Sequence, residues 1–453
     1  MIFMEESIFW LKNKLLRKAA MRQYEKALLS DTLFYEELRD LNWEKRKSIV
    51  VHAYNHSAFY KCFYDEHNFN PSMLHTEEDW NKVPILEKED VRKFREEIRD
   101  VSVPSKYVGV ATTGGSTGMP LKVYTDKRFH FEILGWRAFR WWGVSPADHV
   151  GIIHRSVPST FLSKLINRCM WWPTRRAYLN ASSIMEEDIS EFVHSLISQQ
   201  TKWIVGYVGG IEKVVDYILA NNIHIESVRL IWSTSAPLLD FVRKKIERAF
   251  NCKVMDQYGC CEVAHIAIEC PHCKGFHVNS DYVHVDIMNK KDKTLLKPGE
   301  SGDILITNLE GRVFPLIKYR LGDTGSFSLS KCNCGLPYPL LNKVVGRTSD
   351  SIYTPSGLML ESAYLSTIFD DYTDFVYNFR IYQSENYAVT IYVVVNKMNK
   401  TEVEHVIQMI KKELSLKTKN EIPISFECMD KIENDRGKNR YIISEVALAL
   451  NKK

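Results

Sequence analysis

A short loop near residue 115 concentrates the residue types that can bind phosphate groups. Its small and hydroxylated members, and the lysine that closes it, are Thr113, Gly114, Gly115, Ser116, Thr117, Gly118 and Lys122. Glycine readily adopts positive φ angles, so successive backbone N–H groups can point at one anion. The loop is not a Walker A motif, because Met119, Pro120 and Leu121 separate the last glycine from the lysine. This composition predicts a polyphosphate-binding loop, with a flexible surface turn as the alternative.

Four cysteines form two pairs with the spacing of metal-binding knuckles. They are Cys270, Cys273, Cys332 and Cys334. A C-x₂-C pair and a C-x-C pair around a strand-rich segment are typical of a tetrahedral structural Zn²⁺ site with four cysteine ligands. His272 and His277 are alternative ligands in the same region. Reduced thiols that pack as small apolar groups are the alternative to a metal site.

The overall composition is that of a globular protein with balanced charge. Of the 453 residues, 45% are hydrophobic, and the formal net charge at pH 7 is +4. This balance predicts neither a nucleic-acid-binding face nor a polybasic membrane anchor. No apolar run approaches the ~18 residues that a membrane span needs. Ten cysteines occur without a recognisable secretion signal, so we expect a cytoplasmic protein with reduced thiols.

The spacing of apolar residues predicts the elements that must position these groups. Helices are predicted for residues 4–70 and 127–142. Short apolar strands are predicted over 150–154, 203–206, 230–233 and 253–255, with helices over 209–221 and 237–250 between the later ones. This alternation predicts βαβ units and a parallel sheet, which bind ligands at the carboxyl ends of their strands. We predict an α/β fold in three parts: a helical leader over 1–105, a large domain with a parallel sheet and a strand-rich subdomain over 106–349, and a small mobile α+β domain over 350–453.

Five segments resemble motifs of the adenylate-forming (acyl-CoA synthetase) superfamily, and they occur in that superfamily's order. They span residues 112–122, 256–262, 319–323, 346–350 and 436–440. They resemble, respectively, the phosphate loop and the motifs Tyr-Gly-x-Thr-Glu, Tyr-Arg-Thr-Gly-Asp, Gly-Arg-x-x-Asp and Gly-Lys-x-x-Arg. The nearest resemblance, over residues 40–445, is to the phenylacetate–CoA ligase-like branch. This branch includes proteins linked to capsular polysaccharide synthesis.

The resemblance implies roles in nucleotide binding for five residues outside the glycine loop. The aromatic ring of Tyr258, next to Gly259, would stack on adenine, and Ser235 would lie on the adenine side of the site. Asp323 would accept hydrogen bonds from both ribose hydroxyls, since the paired oxygens of a carboxylate suit a vicinal diol. Glu262 would help to hold Mg²⁺.

The resemblance also implies roles for three residues near and beyond the predicted domain boundary. Arg347 would reach the nucleotide, Asp350 would be the hinge between domains, and Lys438 would enter the site during adenylation. Two departures from the family pattern stand out. Cys261 replaces the threonine of its motif, and the arginine after Lys438 occurs one place early.

Together these residues imply an enzyme that activates a small carboxylic acid with MgATP and passes the acyl group to CoA. Lys438, Glu262 and Arg347 would be catalytic. One alternative is an amide ligase that couples the adenylate to an amine, for example on a surface polysaccharide. It is favoured by residues 353–359, which lack the Arg-Gly-x-Asn-like sequence that lines the pantetheine channel in many members. A second alternative is a non-catalytic descendant that binds a nucleotide or a partner, which would have no need of Lys438.

Overall fold

The structure is a computed structural model of the 453-residue chain. It describes residues 2–112, 121–181, 184–272, 275–342, 344, 351–360, 364–365, 368–369, 372, 375–396, 398–432 and 441–450. The chain forms two compact units, each built from two separate segments. The first unit comprises Met1–Ala147 and Gln257–Val344, and the second comprises Asp148–Asp256 and Val345–Lys453. The three domain ranges predicted from the sequence stay a prediction.

The first unit begins with the helices that the sequence predicts. Its α-helices are Ile2–Leu16, Lys18–Ser30, Tyr35–His56, Ala58–Glu66, Lys88–Lys93, Arg95–Ile98 and Glu132–Trp141, and its 3₁₀ helices are Pro71–Met73, Glu77–Lys82 and Ser105–Tyr107. The helix predicted over 127–142 begins only at Glu132. Asp126 accepts a hydrogen bond from the backbone N–H of Arg128 at 3.0 Å, which holds the preceding residues in a turn. No helix in the described ranges is both long and apolar enough to cross a membrane.

The strands of the first unit form one hairpin and two antiparallel sheets. The hairpin pairs Val108–Thr112 with Lys122–Asp126. A four-stranded sheet has the spatial order Leu340–Asn342, Gly275–Val278, Ala267–Glu269 and Gln257–Tyr258. A three-stranded sheet has the order Val283–Met288, Gly302–Asn308 and Tyr319–Gly325.

Buried aromatic residues fix the N-terminal helices to these strands. The hydroxyl of Tyr60 donates to the carbonyl oxygen of Pro315 at 3.0 Å, and Trp80 Nε1 donates to Asp286 Oδ2 at 2.9 Å. The side chains of Tyr60 and Trp80 belong to one apolar core with residues of both sheets. The helical leader therefore needs the strand-rich segment to complete its core.

The second unit contains the predicted parallel sheet. Its five strands have the spatial order Arg176–Asn180, Val150–His154, Trp203–Tyr207, Leu230–Thr234 and Lys253–Met255. Connecting helices are Phe161–Trp171, Glu186–Ser198, Val208–Ala220 and Asp240–Phe250. The apolar runs and the intervening helices produce the βαβ arrangement expected from the sequence. The strand Arg176–Asn180 was not predicted, because its polar ends lack the apolar run of the other strands.

The C-terminal segment of the second unit is a mixed α+β region. Its main sheet has the spatial order Ile424–Cys428, Val389–Val395, Val376–Gln383 and Ile442–Ser444. The two central strands are antiparallel, and each edge strand is parallel to its neighbour. The helices Lys400–Lys417 and Glu445–Leu450 and the short hairpin of Ile352–Tyr353 with Met359–Leu360 complete the described part of the region.

Candidate active site

The predicted phosphate loop lies between two paired strands. Thr112 ends the first strand and is paired directly with Lys122, the first residue of the second strand. The antiparallel pairing therefore holds the two ends of the loop together, with Lys122 exposed beside it. The loop residues themselves lie outside the described ranges: Thr113, Gly114, Gly115, Ser116, Thr117 and Gly118.

Tyr258 and Asp323 are joined by a hydrogen bond although 65 positions separate them in the sequence. The Tyr258 hydroxyl donates to Asp323 Oδ2 at 2.8 Å. Asp323 lies where the strand Tyr319–Gly325 shifts register against its neighbour. Gly322, which precedes it, has a φ of +86°, in the left-handed region that favours glycine. This bulge redirects the Asp323 side chain out of the regular strand alternation, toward Tyr258.

A second carboxylate, that of Glu262, lies beside the same strand. The Tyr319 hydroxyl donates to Glu262 Oε1 at 3.4 Å. Burial, with the nearby Glu262 carboxylate, raises the pKa of Tyr319, so its phenol remains a proton donor. Burial also raises the pKa of the Cys260 thiol, and the charges of Glu262 and Asp323 add to this shift. Both carboxylates therefore lie close to one neutral, partly buried thiol.

Gly259 and His265 approach each other closely where the chain turns back after Tyr258. A Cβ atom at Gly259 would lie 2.9 Å from the backbone nitrogen of His265, so no side chain fits there. His265 has a φ of +52°, and its ring is buried beside Gln257. Burial lowers the pKa of His265 to about 4, which keeps the imidazole neutral. Within this turn Cys261, at the threonine position of the motif, is exposed.

Three of the four cysteines predicted to bind zinc form a cluster with one histidine. Side-chain ligand atoms of Cys270, His277, Cys332 and Cys334 all lie within 4.8 Å of one another. The fourth predicted cysteine, Cys273, lies outside the described residues. The sequence had His277 only as an alternative ligand, whereas the structure places it in the cluster.

The second unit presents polar side chains where its parallel strands end. His154 ends one strand and Tyr207 ends its neighbour, and His154 Nε2 lies 2.7 Å from the Tyr207 hydroxyl oxygen. The backbone N–H of Ser156 donates to His154 Nδ1 at 3.1 Å, so Nε2 carries the proton of the neutral ring and donates to Tyr207. The sequence indicates residues 154–156 as facing the substrate but gives no sign of Tyr207, although the rule that ligands bind at the carboxyl ends of parallel strands points to both residues of the pair.

Ser235, the predicted adenine-side residue, follows another strand of this sheet. It is exposed and has a φ of +76°, which turns the chain away from the sheet immediately after Thr234. Beneath it the Ser233 hydroxyl donates to Asp256 Oδ1 at 2.8 Å, and this buried bond joins the ends of two neighbouring strands. Arg347, Asp350 and Lys438 lie outside the described residues.

The fold that holds these residues is that of the adenylate-forming enzymes. A solved structure of 2-hydroxyisobutyryl-CoA ligase in the postadenylation state, in complex with R3-HIB-AMP, matches with a TM-score of 0.74. The match is 17% identical and covers 93% of each chain. This likeness confirms the predicted fold class. Because the two sequences are only 17% identical, it shows a shared fold and not a shared function.

The sequence relatives show which of these enzymes the chain resembles. CapK of Staphylococcus aureus is 22% identical over 428 residues, which is 91% of this chain and 92% of CapK. The phenylacetate–coenzyme A ligase of Thermus thermophilus is 22% identical over 337 residues, covering 71% of this chain and 73% of that ligase. Residues 352–445 match the family model of the CapK C-terminal domain. The resemblance to the phenylacetate–CoA ligase-like branch and its capsule-related members is thereby confirmed.

Proposed function

We propose that this protein is an ATP-dependent, AMP-forming ligase that activates a small carboxylic acid and transfers its acyl group to CoA. The observation that carries the proposal is the arrangement of Tyr258, Asp323 and Glu262 in the first unit, where an aromatic ring and two carboxylates come together. A nucleotide needs these groups: a flat ring for the base, a carboxylate for the ribose diol, and a carboxylate for Mg²⁺. The phenylacetate–CoA ligase relatives support the same reaction.

The proposed reaction has two steps, formation of an acyl-adenylate and transfer of its acyl group to CoA. A substrate carboxylate oxygen attacks the α-phosphorus of ATP, the bond to the β-phosphate breaks, and acyl-AMP and pyrophosphate form. The CoA sulfur then attacks the acyl carbonyl, the bond to the AMP oxygen breaks, and acyl-CoA, AMP and a proton are released. Donors from Gly114–Gly118, Lys122, Arg347 and Lys438 would stabilise the phosphate charge that grows in the first step.

A divalent cation fits the donor chemistry near Glu262. Its carboxylate is partly exposed and takes a hydrogen bond from Tyr319, which orients it while leaving oxygen lone pairs available. Carboxylate oxygens and phosphates are the ligands that Mg²⁺ prefers. When bound, the ion would neutralise part of the phosphate charge.

In the second unit, the polar groups that we propose to contact a substrate are His154 and Tyr207, at the carboxyl edge of the parallel sheet. Their hydrogen bond presents an imidazole and a phenol whose hydroxyl can donate further, and Arg155 lies over the Tyr207 ring at 5.4 Å. Such an edge suits an acid that carries a polar substituent better than a purely apolar acid. Against a hydrocarbon substituent, the imidazole and the phenol would be left without hydrogen-bond partners.

The test is pyrophosphate release with a panel of carboxylic acids, with and without CoA and amines. The panel should contain phenylacetate and its hydroxylated analogues, and 2-hydroxyisobutyrate with its deoxy counterpart, isobutyrate. We expect release that requires both acid and Mg²⁺, and an acyl-CoA product that requires CoA. Absence of acid-dependent release across the panel would reject the proposed activity. Preference for the apolar member of each pair would reject only the role of His154 and Tyr207.

An amine acceptor remains the alternative within the same reaction class. The hairpin of Ile352–Tyr353 with Met359–Leu360 is closed by Thr-Pro-Ser-Gly, not by the sequence that lines a pantetheine channel in many members of the superfamily. If an amine consumes the adenylate while CoA does not, the protein is an amide ligase. A role in capsular polysaccharide synthesis would then gain support from the CapK relative. A structural Zn²⁺ and a cytoplasmic location complete the proposal, and both are independent of the acceptor.

A further inference from the structure

We infer that Cys270, His277, Cys332 and Cys334 form a closed Cys₃His zinc site, in which His277 takes the place expected for Cys273. The sequence pattern predicts four cysteine ligands, whereas among the described residues the structure brings together three cysteines and one histidine, which are enough to fill a tetrahedral site. The inference rests on the cluster alone and does not depend on the proposed ligase activity.

The spacing of the ligand atoms suits a tetrahedral ion. Cys270 Sγ and Cys332 Sγ are 3.6 Å apart, and Cys334 Sγ and His277 Nε2 are 3.2 Å apart. Zn–S bonds of about 2.3 Å and Zn–N bonds of about 2.0 Å at tetrahedral angles place ligand atoms about 3.5 to 3.8 Å apart. These two spacings differ from the tetrahedral values by a few tenths of an ångström, and the other pairs of ligand atoms lie within 4.8 Å of each other. Thiolate sulfur with imidazole nitrogen is the ligand chemistry that favours Zn²⁺ over Mg²⁺ or Ca²⁺.

His277 is already oriented as a metal ligand. Its Nδ1 lies 3.2 Å from the backbone carbonyl oxygen of Tyr338, which can only accept, so Nδ1 carries the proton. The lone pair of neutral imidazole then lies on Nε2, the atom that faces Cys334. In most metal-binding histidines, the ring nitrogen that does not bind the metal donates such a hydrogen bond. The side chain is fully buried, which excludes water from competing for Nε2.

Two of the four ligands come from neighbouring strands of one sheet, and the other two come from the segment that precedes a third strand of that sheet. Cys270 directly follows the strand Ala267–Glu269, and His277 lies in the antiparallel neighbour Gly275–Val278. Cys332 and Cys334 lie in the irregular segment before Leu340–Asn342, which pairs with Gly275–Val278 on its other side. An ion would therefore cross-link this irregular segment to the sheet. With four protein ligands it has no open position for substrate, so its role is structural.

The site has a consequence for nucleotide binding through the sheet. Tyr258 lies in the edge strand Gln257–Tyr258, which pairs with Ala267–Glu269 next to Cys270. Loss of the ion should loosen this sheet and weaken nucleotide binding without removing any nucleotide contact directly. This effect separates a structural metal from a catalytic one.

The test measures zinc in full-length protein and in four variants. Wild type and Cys273→Ser should each contain about one Zn²⁺ per chain, whereas Cys334→Ser and His277→Gln should lose most of it. Cys62→Ser, at an exposed cysteine on the helix Ala58–Glu66, is the matched control and should keep its zinc. Wild type without zinc, with its thiols all reactive in the native state, would overturn the site. Loss of zinc in Cys273→Ser, or full retention in His277→Gln, would overturn the ligand assignment.

A second measurement uses only wild-type protein, so that its result does not depend on whether the variants fold. Wild-type protein loaded with Co²⁺ should show the intense visible bands of a tetrahedral site with thiolate ligands, and bands of an octahedral site would contradict it. Removing zinc from wild type with a chelator should lower the thermal midpoint and weaken AMP binding, and re-addition of Zn²⁺ alone should restore both. If neither changes after the ion is removed, the structural role is wrong.

Discussion

Asp323 shows how one residue is directed by the backbone beside it. In a regular strand its side chain would alternate with those of its neighbours, but the register shift and the positive φ of Gly322 break that alternation. The carboxylate therefore meets Tyr258 from the adjacent sheet at 2.8 Å. The tyrosine hydroxyl thereby orients the carboxylate that we propose for the ribose diol.

Asp323→Ala should weaken the binding of ATP and AMP by roughly tenfold to a hundredfold, since hydrogen bonds to a charged acceptor contribute about 1.5–3 kcal/mol each. The fold should survive, because the side chain is only partly buried. Isothermal calorimetry measures the affinity, and Tyr258→Phe separates the loss of the hydroxyl from the loss of the carboxylate. Unchanged affinity in Asp323→Ala would show that the ribose lies elsewhere.

His265 should give the protein an acid-sensitive stability. Burial lowers its pKa to about 4, against about 6.5 in an unfolded chain, so the unfolded state binds the additional proton between these values. Above pH 6.5 this residue should therefore contribute no pH dependence to the free energy of unfolding. As the pH decreases from 6 to 4, the free energy of unfolding should fall by roughly 1 kcal/mol per pH unit. Urea unfolding at several pH values should show a smaller slope for His265→Gln than for wild type. Equal slopes would mean that the imidazole is charged or exposed in the folded protein.

At the scale of elements, one buried arginine connects parts of the first unit that are distant in sequence. Arg137, on the helix Glu132–Trp141, donates to Asp281 Oδ2 at 2.6 Å, to the Tyr338 hydroxyl at 2.7 Å and to the Ala27 carbonyl at 3.2 Å. Its side chain has no solvent exposure. Through Tyr338, whose carbonyl orients His277, this network also reaches the cysteine cluster.

Arg137→Met should destabilise the first unit by about 3–5 kcal/mol, because it leaves the buried Asp281 carboxylate without its cation. Chemical denaturation monitored by tryptophan fluorescence measures the loss. Arg128→Met, which removes a partly exposed ion pair with Asp126, is the matched control and should change little. Equal effects of the two substitutions would show that the Asp281 carboxylate is protonated or hydrated.

The elements that could be predicted are those whose signal is local. The apolar strands beginning at Val150, Trp203 and Leu230 are recognisable from short runs of sequence, and so are the helices predicted over 209–221 and 237–250. The helices Phe161–Trp171 and Glu186–Ser198 were not predicted. The contacts of Tyr258 with Asp323 and of Glu262 with Tyr319 could not be predicted from periodicity, since they depend on non-local sheet pairing and on a bulge. They were reached only through the family motifs.

The cysteine cluster shows the same limit. Spacing alone identified two knuckles, but it left His277 as one alternative ligand among several residues close to Cys270. The alternation of the strand Gly275–Val278 and its pairing with Ala267–Glu269 decide that His277 faces the thiols. That pairing is visible only in three dimensions.

At the scale of the whole molecule, the division of labour between chain segments can be tested through Lys438. This lysine lies beyond the predicted boundary at residue 350, so we expect it to act in the adenylation step alone. Lys438→Ala should slow carboxylate-dependent pyrophosphate release by roughly 10²- to 10³-fold, as expected when a charge-stabilising contact of the transition state is lost. Conversion of supplied acyl-AMP and CoA to product should continue at nearly the normal rate.

Lys411→Ala, on the exposed side of the helix Lys400–Lys417, is the control and should leave both half-reactions intact. Pyrophosphate release and thioester formation must be measured separately in each variant. An equal fall of both half-reactions in Lys438→Ala, or no change in either, would remove the support for a two-step role of the C-terminal segment.

The discontinuity of the first unit has a consequence for synthesis on the ribosome. Tyr60 finds its partner Pro315 only after a further 255 residues have been added, because the second segment of the unit begins at Gln257. At about 5–20 residues per second, the N-terminal helices wait roughly 10 to 50 s with their apolar faces uncovered. We therefore expect the nascent chain to bind chaperones that recognise exposed apolar surface, and a message truncated before residue 257 should yield an aggregation-prone product, not a smaller folded domain.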